Sequence, residues 1–325
     1  MTSQLFASPS QVTPAKEVKA FGRAYRGRYH MPLLPGEQGV KSGGDWVPYG
    51  VMRTTNLAGA LEDTRALNVW EQGMGLIGFA LAPELYRELQ ALVLKAAAEG
   101  VDFEKLRDYP WLKEALAGAP HDQDKQEASL IGRAKVIAGG SAAAQRGTDD
   151  HDAWEHRAVT GDLSGTARSR GQVLRTEQLL AEAGLQRMPG LQERVIRNVA
   201  LGAAGKFDDV LLELRTGRLL MADLKTKATR FYSRSAVDIQ LAIYARAEWM
   251  LDESGQGYEP GPLHHVDQCE GVILHVPSDG APAQLERADL QEGWEDALLA
   301  KQIIERRSSG RSAERFRRAV WTPAE

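Results

Sequence analysis

Gly205-Lys206-Phe207-Asp208, an apolar run, Arg215-Thr216-Gly217-Arg218, a second apolar run and Asp223-Leu224-Lys225-Thr226 follow one another between positions 205 and 226. Thr216-Gly217 supplies the positive-φ residue of a tight turn, so 207–214 and 218–224 read as the two strands of a hairpin. In the second strand Leu219, Leu220, Met221, Ala222 and Leu224 form a nearly continuous apolar run, as in a strand covered on both faces. A carboxylate inside such a run is costly unless it is paired or binds a cation. Asp223 is that carboxylate. Asp223 and Lys225 are two apart and share a strand face, and the hairpin can bring Asp208 alongside them. On an exposed strand an Asp-x-Lys pair would be worth well under ~1 kcal/mol. Burial is what makes this one informative.

Just upstream of the hairpin, 193–201 carries Val195, Ile196 and Val199 and reads as a further strand. Residues 175–183 read as a helix stopped by Gly184. An amphipathic helix over 237–251 carries Gln240, Tyr244 and Trp249. A turn-rich loop at 255–262, a buried strand at 269–276 and a helix at 290–307 follow. Upstream, 143–158 reads as a helix on which His151 and Glu155, four residues apart, share a face. The section from 49 to 140 is expected to be mostly helical and without visible chemistry. Thr54, Thr55 or Asn56 is placed to cap its first helix. Its next helix begins after Pro83, with Leu85, Leu89, Leu92, Val93 and Ala96 on one face. Shorter helices are expected over 103–116 and 126–138, separated by a break at 118–124. Residues 36–48 are Gly-rich and read as loop.

The N-terminal 1–15 read as an arm. Lys16, Lys19, Arg23, Arg26 and Arg28 then interleave with Phe21, Tyr25 and Tyr29, a pattern able to stack bases and hold phosphates. The expected organisation is an N-terminal arm and loop at 1–48, a helical section at 49–140, a core at 141–300 and a basic tail at 301–325. That tail holds seven Lys/Arg against three acids.

The chain has 325 residues, 43% hydrophobic and 26% charged, in the range of a soluble globular protein. Its net charge of −4 excludes a basic coat over the whole surface, so any nucleic-acid contact must come from local patches. Cys269 is the single cysteine, which excludes a disulfide framework and an iron–sulfur cluster, and suits a reducing cytoplasm. No apolar stretch reaches membrane-spanning length.

The ordered set Gly147-x-x-x-His151, Gly205-x-x-Asp208, Asp223-x-Lys225-Thr226 and Gln240-x-x-x-Tyr244 resembles the RecB-like branch of the PD-(D/E)XK nuclease superfamily. Arg53-Thr54-Thr55 with Leu67-x-x-Trp70 is similar to an N-terminal segment of phage-encoded members. The resemblance implies an α/β, restriction-endonuclease-like core, a mixed β-sheet flanked by helices. It implies that His151, Asp208, Asp223 and the Leu224 carbonyl bind metal, that Lys225 is the catalytic lysine, and that Gln240 and Tyr244 position the DNA strand or the lysine. Glu193 stands where some relatives carry a supporting acid, and Glu155 is a further supporting candidate. Asp223 departs from the Glu common in this branch, and the cysteine cluster of its iron–sulfur members is missing.

Hard oxygen ligands suit Mg²⁺ or Mn²⁺, one or two ions, which acidify water and stabilise charge on a phosphodiester. The expected function is a metal-dependent DNA nuclease, an exonuclease of phage-type replication or recombination, acting in the host cytoplasm if phage-encoded. DNA is the expected partner, without a membrane and with an oligomer possible. The alternatives are a catalytically silent nuclease-fold DNA-binding or virion protein, and a zinc hydrolase built on His151 and Glu155.

Overall fold

The computed structural model describes residues 24–25, 28–34, 40–42, 45–47, 49–62, 65–118, 123–140, 142–226, 234–255, 257–277 and 281–308. Short strands open this part of the chain: β1 (Ala24–Tyr25), β2 (Arg28–Met31), β3 (Val40–Ser42), β4 (Asp45–Val47) and β5 (Tyr49–Arg53). The last runs directly into α1 (Thr54–Ala58). Helices follow: α2 (Arg65–Leu81), α3 (Pro83–Ala98), a 3-10 segment at Phe103–Asp108, α4 (Pro110–Ala117), α5 (Gln123–Ala128) and α6 (Leu130–Ile137). Next come α7 (Ala142–Thr160), α8 (Ala167–Glu182), β6 (Leu185–Arg187), β7 (Val195–Asn198), β8 (Ala203–Lys206), β9 (Asp209–Glu213) and β10 (Leu219–Lys225). The chain continues through α9 (Arg234–Ala245), β11 (Trp249–Leu251), β12 (Tyr258–Pro260), β13 (Glu270–His275), β14 (Gln284–Asp289) and α10 (Leu290–Ser308).

The fold is α/β, with mixed open sheets flanked by helices. One sheet has the order β1-β2-β5-β8-β7-β11-β12 and the other β14-β13-β10-β9-β6, with β3–β4 a separate hairpin. The β5–β8 and β10–β13 pairs are parallel, and the remaining pairs are antiparallel. β8 belongs to the first sheet and β9 to the second, so the chain changes sheets at Phe207-Asp208.

The expected hairpin is β9–β10, with Gly217 at φ 75° in its turn and Ala222 opposite Asp209. Strand β10 is covered on both faces, which accounts for its apolar run. Met221, with Val210 and Ile273, packs against Val237, Leu241 and Tyr244 of α9. Leu220, Ala222 and Leu224, with Val272 and Leu274, meet Trp154 of α7 and Val173 and Leu180 of α8.

The chain divides into two compact units, 1–62 with 153–325, and 63–152, the division falling inside α7. This differs from the expected helical section at 49–140 and core at 141–300. Residues 49–53 are a strand, whose backbone groups pair with β2 on one side and β8 on the other. Five residues are too few for an apolar period to announce them. Residues 301–308 are the end of α10, and 309–325 lie outside the described residues, as do 1–23 of the N-terminal arm.

Other local expectations change as well. Residue Arg53 is the N-cap of α1 and no side chain caps it, because the chain enters the helix straight from β5. The expected loops at 36–48 and 255–262 contain β3, β4 and β12. The helix expected to reach 251 ends at Ala245, and Trp249 lies in β11, opposite Arg197 of β7. The helix expected over 126–138 is interrupted at Ser129, whose hydroxyl accepts the Gly132 N–H at 3.1 Å and starts α6.

In the helical unit Leu85, Leu130 and Ala134 close one apolar cluster, and Ala96, Val101 and Leu112 another. Among the described residues no helix is long and apolar enough to cross a membrane.

Candidate metal centre

The hairpin register carries the acids to one place. Asp208 sits just before β9, and its Oδ2 accepts the Leu224 N–H of β10 at 2.7 Å. Asp223, 2% exposed, holds Lys225 Nζ at 2.5 Å from its Oδ2. Burial works to lower the Lys225 ammonium, but Asp223 and Asp208 outweigh it and hold the group above its ordinary value. The pair is therefore internal, with a lysine that keeps its proton. It is not the exposed cross-strand pair that the motif alone would allow.

Among the described residues, His151, Glu193 and Asp208 form the group that could hold a metal ion, one ligand atom from each and all within 4.8 Å of one another. Three separate stretches supply them: α7, the turn before β7 and the crossing between the sheets. The expectation placed Asp223 and the Leu224 carbonyl in this set. Asp223 is not in this side-chain group: its Oδ2 faces Lys225 Nζ, while the Leu224 N–H donates to Asp208. Glu193, expected only in support, stands in the group itself.

Glu193 is in the left-handed region at φ 54°, the only non-glycine there among the described residues. Such backbone is costly for a long side chain and persists where its surroundings fix it. Here the Glu193 N–H donates to the Asp208 carbonyl at 3.2 Å, and the Phe207 N–H donates to the Arg194 carbonyl at 3.1 Å. The turn is thus tied to the Phe207-Asp208 crossing between the sheets. Burial pushes the Glu193 carboxyl up, the neighbouring Asp208 pushes it further, and Lys206 only partly offsets them, leaving it at about 7. Lys206 forms an ion pair with Glu193 and lies 3.7 Å from Glu155. Glu155 therefore faces a lysine rather than sharing a cation with His151, and the partners of His151 come from outside its helix.

Gln240 and Tyr244 are one helical turn apart on α9, and Gln240 Nε2 donates to the Tyr244 hydroxyl at 2.7 Å. Tyr244 is buried, which drives its phenol well above the ordinary range. Gly205 explains how that ring fits. A Cβ there would lie 2.7 Å from Thr54 Oγ1, 2.8 Å from Tyr244 Cε1 and 3.0 Å from its hydroxyl. The glycine of the Gly205-x-x-Asp208 motif is thus a close-approach position.

Other neighbours were not singled out from the sequence. Tyr29 of β2 hydrogen-bonds the Lys206 backbone beside Arg53 and Glu193, and burial raises its phenol. Arg53 Nε and Thr54 Oγ1 are buried without a hydrogen-bond partner in the described structure. Both belong to the Arg53-Thr54-Thr55 segment, which was legible as a motif but not as part of a site. Lys206 was visible inside the opening stretch, yet only the fold shows that it faces two glutamates.

Compared with known proteins, the chain matches no family model, and no curated protein is significantly similar to it.

Proposed function

We propose that this protein is a metal-dependent phosphodiesterase. Within that class we infer a deoxyribonuclease of the RecB-like PD-(D/E)XK kind, an exonuclease acting on DNA in the cytoplasm. The observation that carries the reading is the His151, Glu193 and Asp208 group joined through Asp208 to the strand bearing the buried Asp223–Lys225 pair. A mixed set of one imidazole and two carboxylates suits Mn²⁺, and Mg²⁺ with retained waters. When bound, such an ion supplies Lewis acidity, lowering the pKa of water and taking up charge from phosphoryl oxygens.

The chain's own residues do the rest. Asp208 holds its carboxylate in place through the Leu224 N–H. Asp223 keeps Lys225 protonated and aimed, so Lys225 serves as a fixed cation that orients water and neutralises charge developing on the phosphate. Tyr244 is held by Gln240 within the field of Asp208 and Asp223 and positions groups around them.

The test is cleavage of end-labelled single- and double-stranded DNA with Mg²⁺ or Mn²⁺. Wild type should release nucleotides from an end. Lys225→Ala and Asp208→Asn should lose at least about a hundredfold in rate, as for removal of one transition-state donor, while keeping the folded circular dichroism spectrum. Wild-type cleavage by either variant would sink the assignment. Metal binding without cleavage by wild type would favour a DNA-binding or virion protein that has kept the nuclease fold.

A further inference from the structure

Next to Asp208 in the chain lies a carboxylate that is not a member of the metal group. Asp209 is fully buried, and its oxygens accept from Trp154 Nε1 at 3.2 Å, Arg187 Nε at 2.5 Å and Gln192 Nε2 at 3.1 Å. Its neighbours in this network stand beside the metal group in the chain. Trp154 lies three residues beyond His151, nearly one turn along α7. Gln192 immediately precedes Glu193, and Asp209 itself follows Asp208.

We propose that Asp209 is the positioning residue of the metal group, tying its three supporting segments together through one buried carboxylate. The inference rests on the metal-binding reading above. Neutralising Asp209 needs only Arg187. The additional bonds from Trp154 and Gln192 fix geometry, and a metal site is sensitive to displacements of a few tenths of an ångström. Arg187 reinforces the arrangement. Its Nη1 donates to the Trp154 carbonyl at 3.3 Å, and its guanidinium lies 4.0 Å from the centroid of the Trp154 ring. Gln192 is held in turn, since it accepts the Gly190 N–H at 3.1 Å and donates to the Met188 carbonyl. The strained Glu193 backbone is therefore braced from the residue before it.

The test uses the full chain and Mn²⁺ alone, with affinity measured by calorimetry and the bound ion observed by electron paramagnetic resonance. Asp209→Asn keeps the volume but misplaces one acceptor. Trp154→Phe keeps an aromatic ring but removes the donor together with part of the buried indole, a packing loss for which Leu290→Ala is the control. Asp209→Asn should weaken Mn²⁺ binding by about tenfold to a hundredfold, and Trp154→Phe should shift it in the same direction. Both should alter the spectrum of the bound ion. Leu290→Ala, which removes a fully buried side chain of the α9-facing cluster, should lower the thermal midpoint and leave Mn²⁺ affinity at the wild-type value.

Wild-type affinity in folded Asp209→Asn and Trp154→Phe would overturn the proposal, as would equal weakening by Leu290→Ala. Should Asp209→Asn fail to fold, Trp154→Phe decides. A wild-type chain that binds Mn²⁺ but leaves DNA intact defeats the nuclease reading alone. One that binds no Mn²⁺ defeats the metal reading and this proposal together.

Discussion

Glu193 gathers most of what is unusual about the site into one residue. It has left-handed backbone, a mostly buried carboxylate and a pKa raised by burial and by Asp208 to about 7, against 4.5 ordinarily. Between those two values the folded chain holds a proton that the unfolded chain releases. The stability contribution of Glu193 is therefore full below about pH 4.5 and is lost as pH rises through about 7. A cation reverses the preference, because it needs the carboxylate. We expect Mn²⁺ binding to expel this proton, with affinity rising up to about tenfold per pH unit toward 7 and levelling above it. Calorimetry at pH 6 in buffers of different ionisation enthalpy should register the release. Glu193→Gln should bind more weakly and lose this part of the pH slope. A slope unchanged in Glu193→Gln would count against the carboxylate as the source.

The elements that build the site were legible in unequal degree, for physical reasons. The β9–β10 hairpin was readable because a turn residue, an apolar run and an intruding Asp223 lie close together in the chain. α9 was readable through its period, although its end was not. Ala245 stops the helix without a proline or glycine, and the following strand is stabilised by partners in β7 and β12. β5 and β8 left little trace, because their pairing joins residues about 150 apart in sequence and each is short.

Gly205 marks where α1, β8 and α9 meet, and it yields a prediction about that junction. Gly205→Ala puts a methyl group against Thr54 and the buried Tyr244 ring, neither of which has room to withdraw. It should cost about 1–3 kcal/mol in urea unfolding and disturb the Gln240–Tyr244 bond. Gly171→Ala on α8, where nothing lies within 4 Å, should stabilise by about 0.5–1 kcal/mol. Equal effects from the two would show that crowding at the junction is not the cause.

Across the molecule, the candidate site lies where the chain passes from one sheet to the other, and its residues come from positions as far apart as 151 and 225. Sequence spacing could bring together Asp208, Asp223 and Lys225, which share a hairpin. It could not show that Glu193 stands beside Asp208 while Asp223 is taken by the lysine. That choice depends on a turn braced by Asp209 and on partners far away in the chain.

Charge distribution is the property of the whole chain that bears on DNA. With a net charge of −4, the protein gains nothing from bulk attraction, so any phosphate contacts must be local. Residues 309–325 carry Arg311, Arg315, Arg317 and Arg318 against Glu314 and Glu325. If DNA is the substrate, a chain ending at Ser308 should bind it more weakly at low salt. Each arginine that neutralises a duplex phosphate adds about 0.9 to the steepness with which log affinity falls against log salt, so the slope should flatten by up to about 3–4. Mn²⁺ affinity should stay unchanged, because every member of the metal group lies upstream. Fluorescence anisotropy of a labelled duplex across a salt series checks this. An identical slope in the shortened chain would place the phosphate contacts elsewhere, with Lys206 and Arg53 next to be examined because both lie beside the metal group.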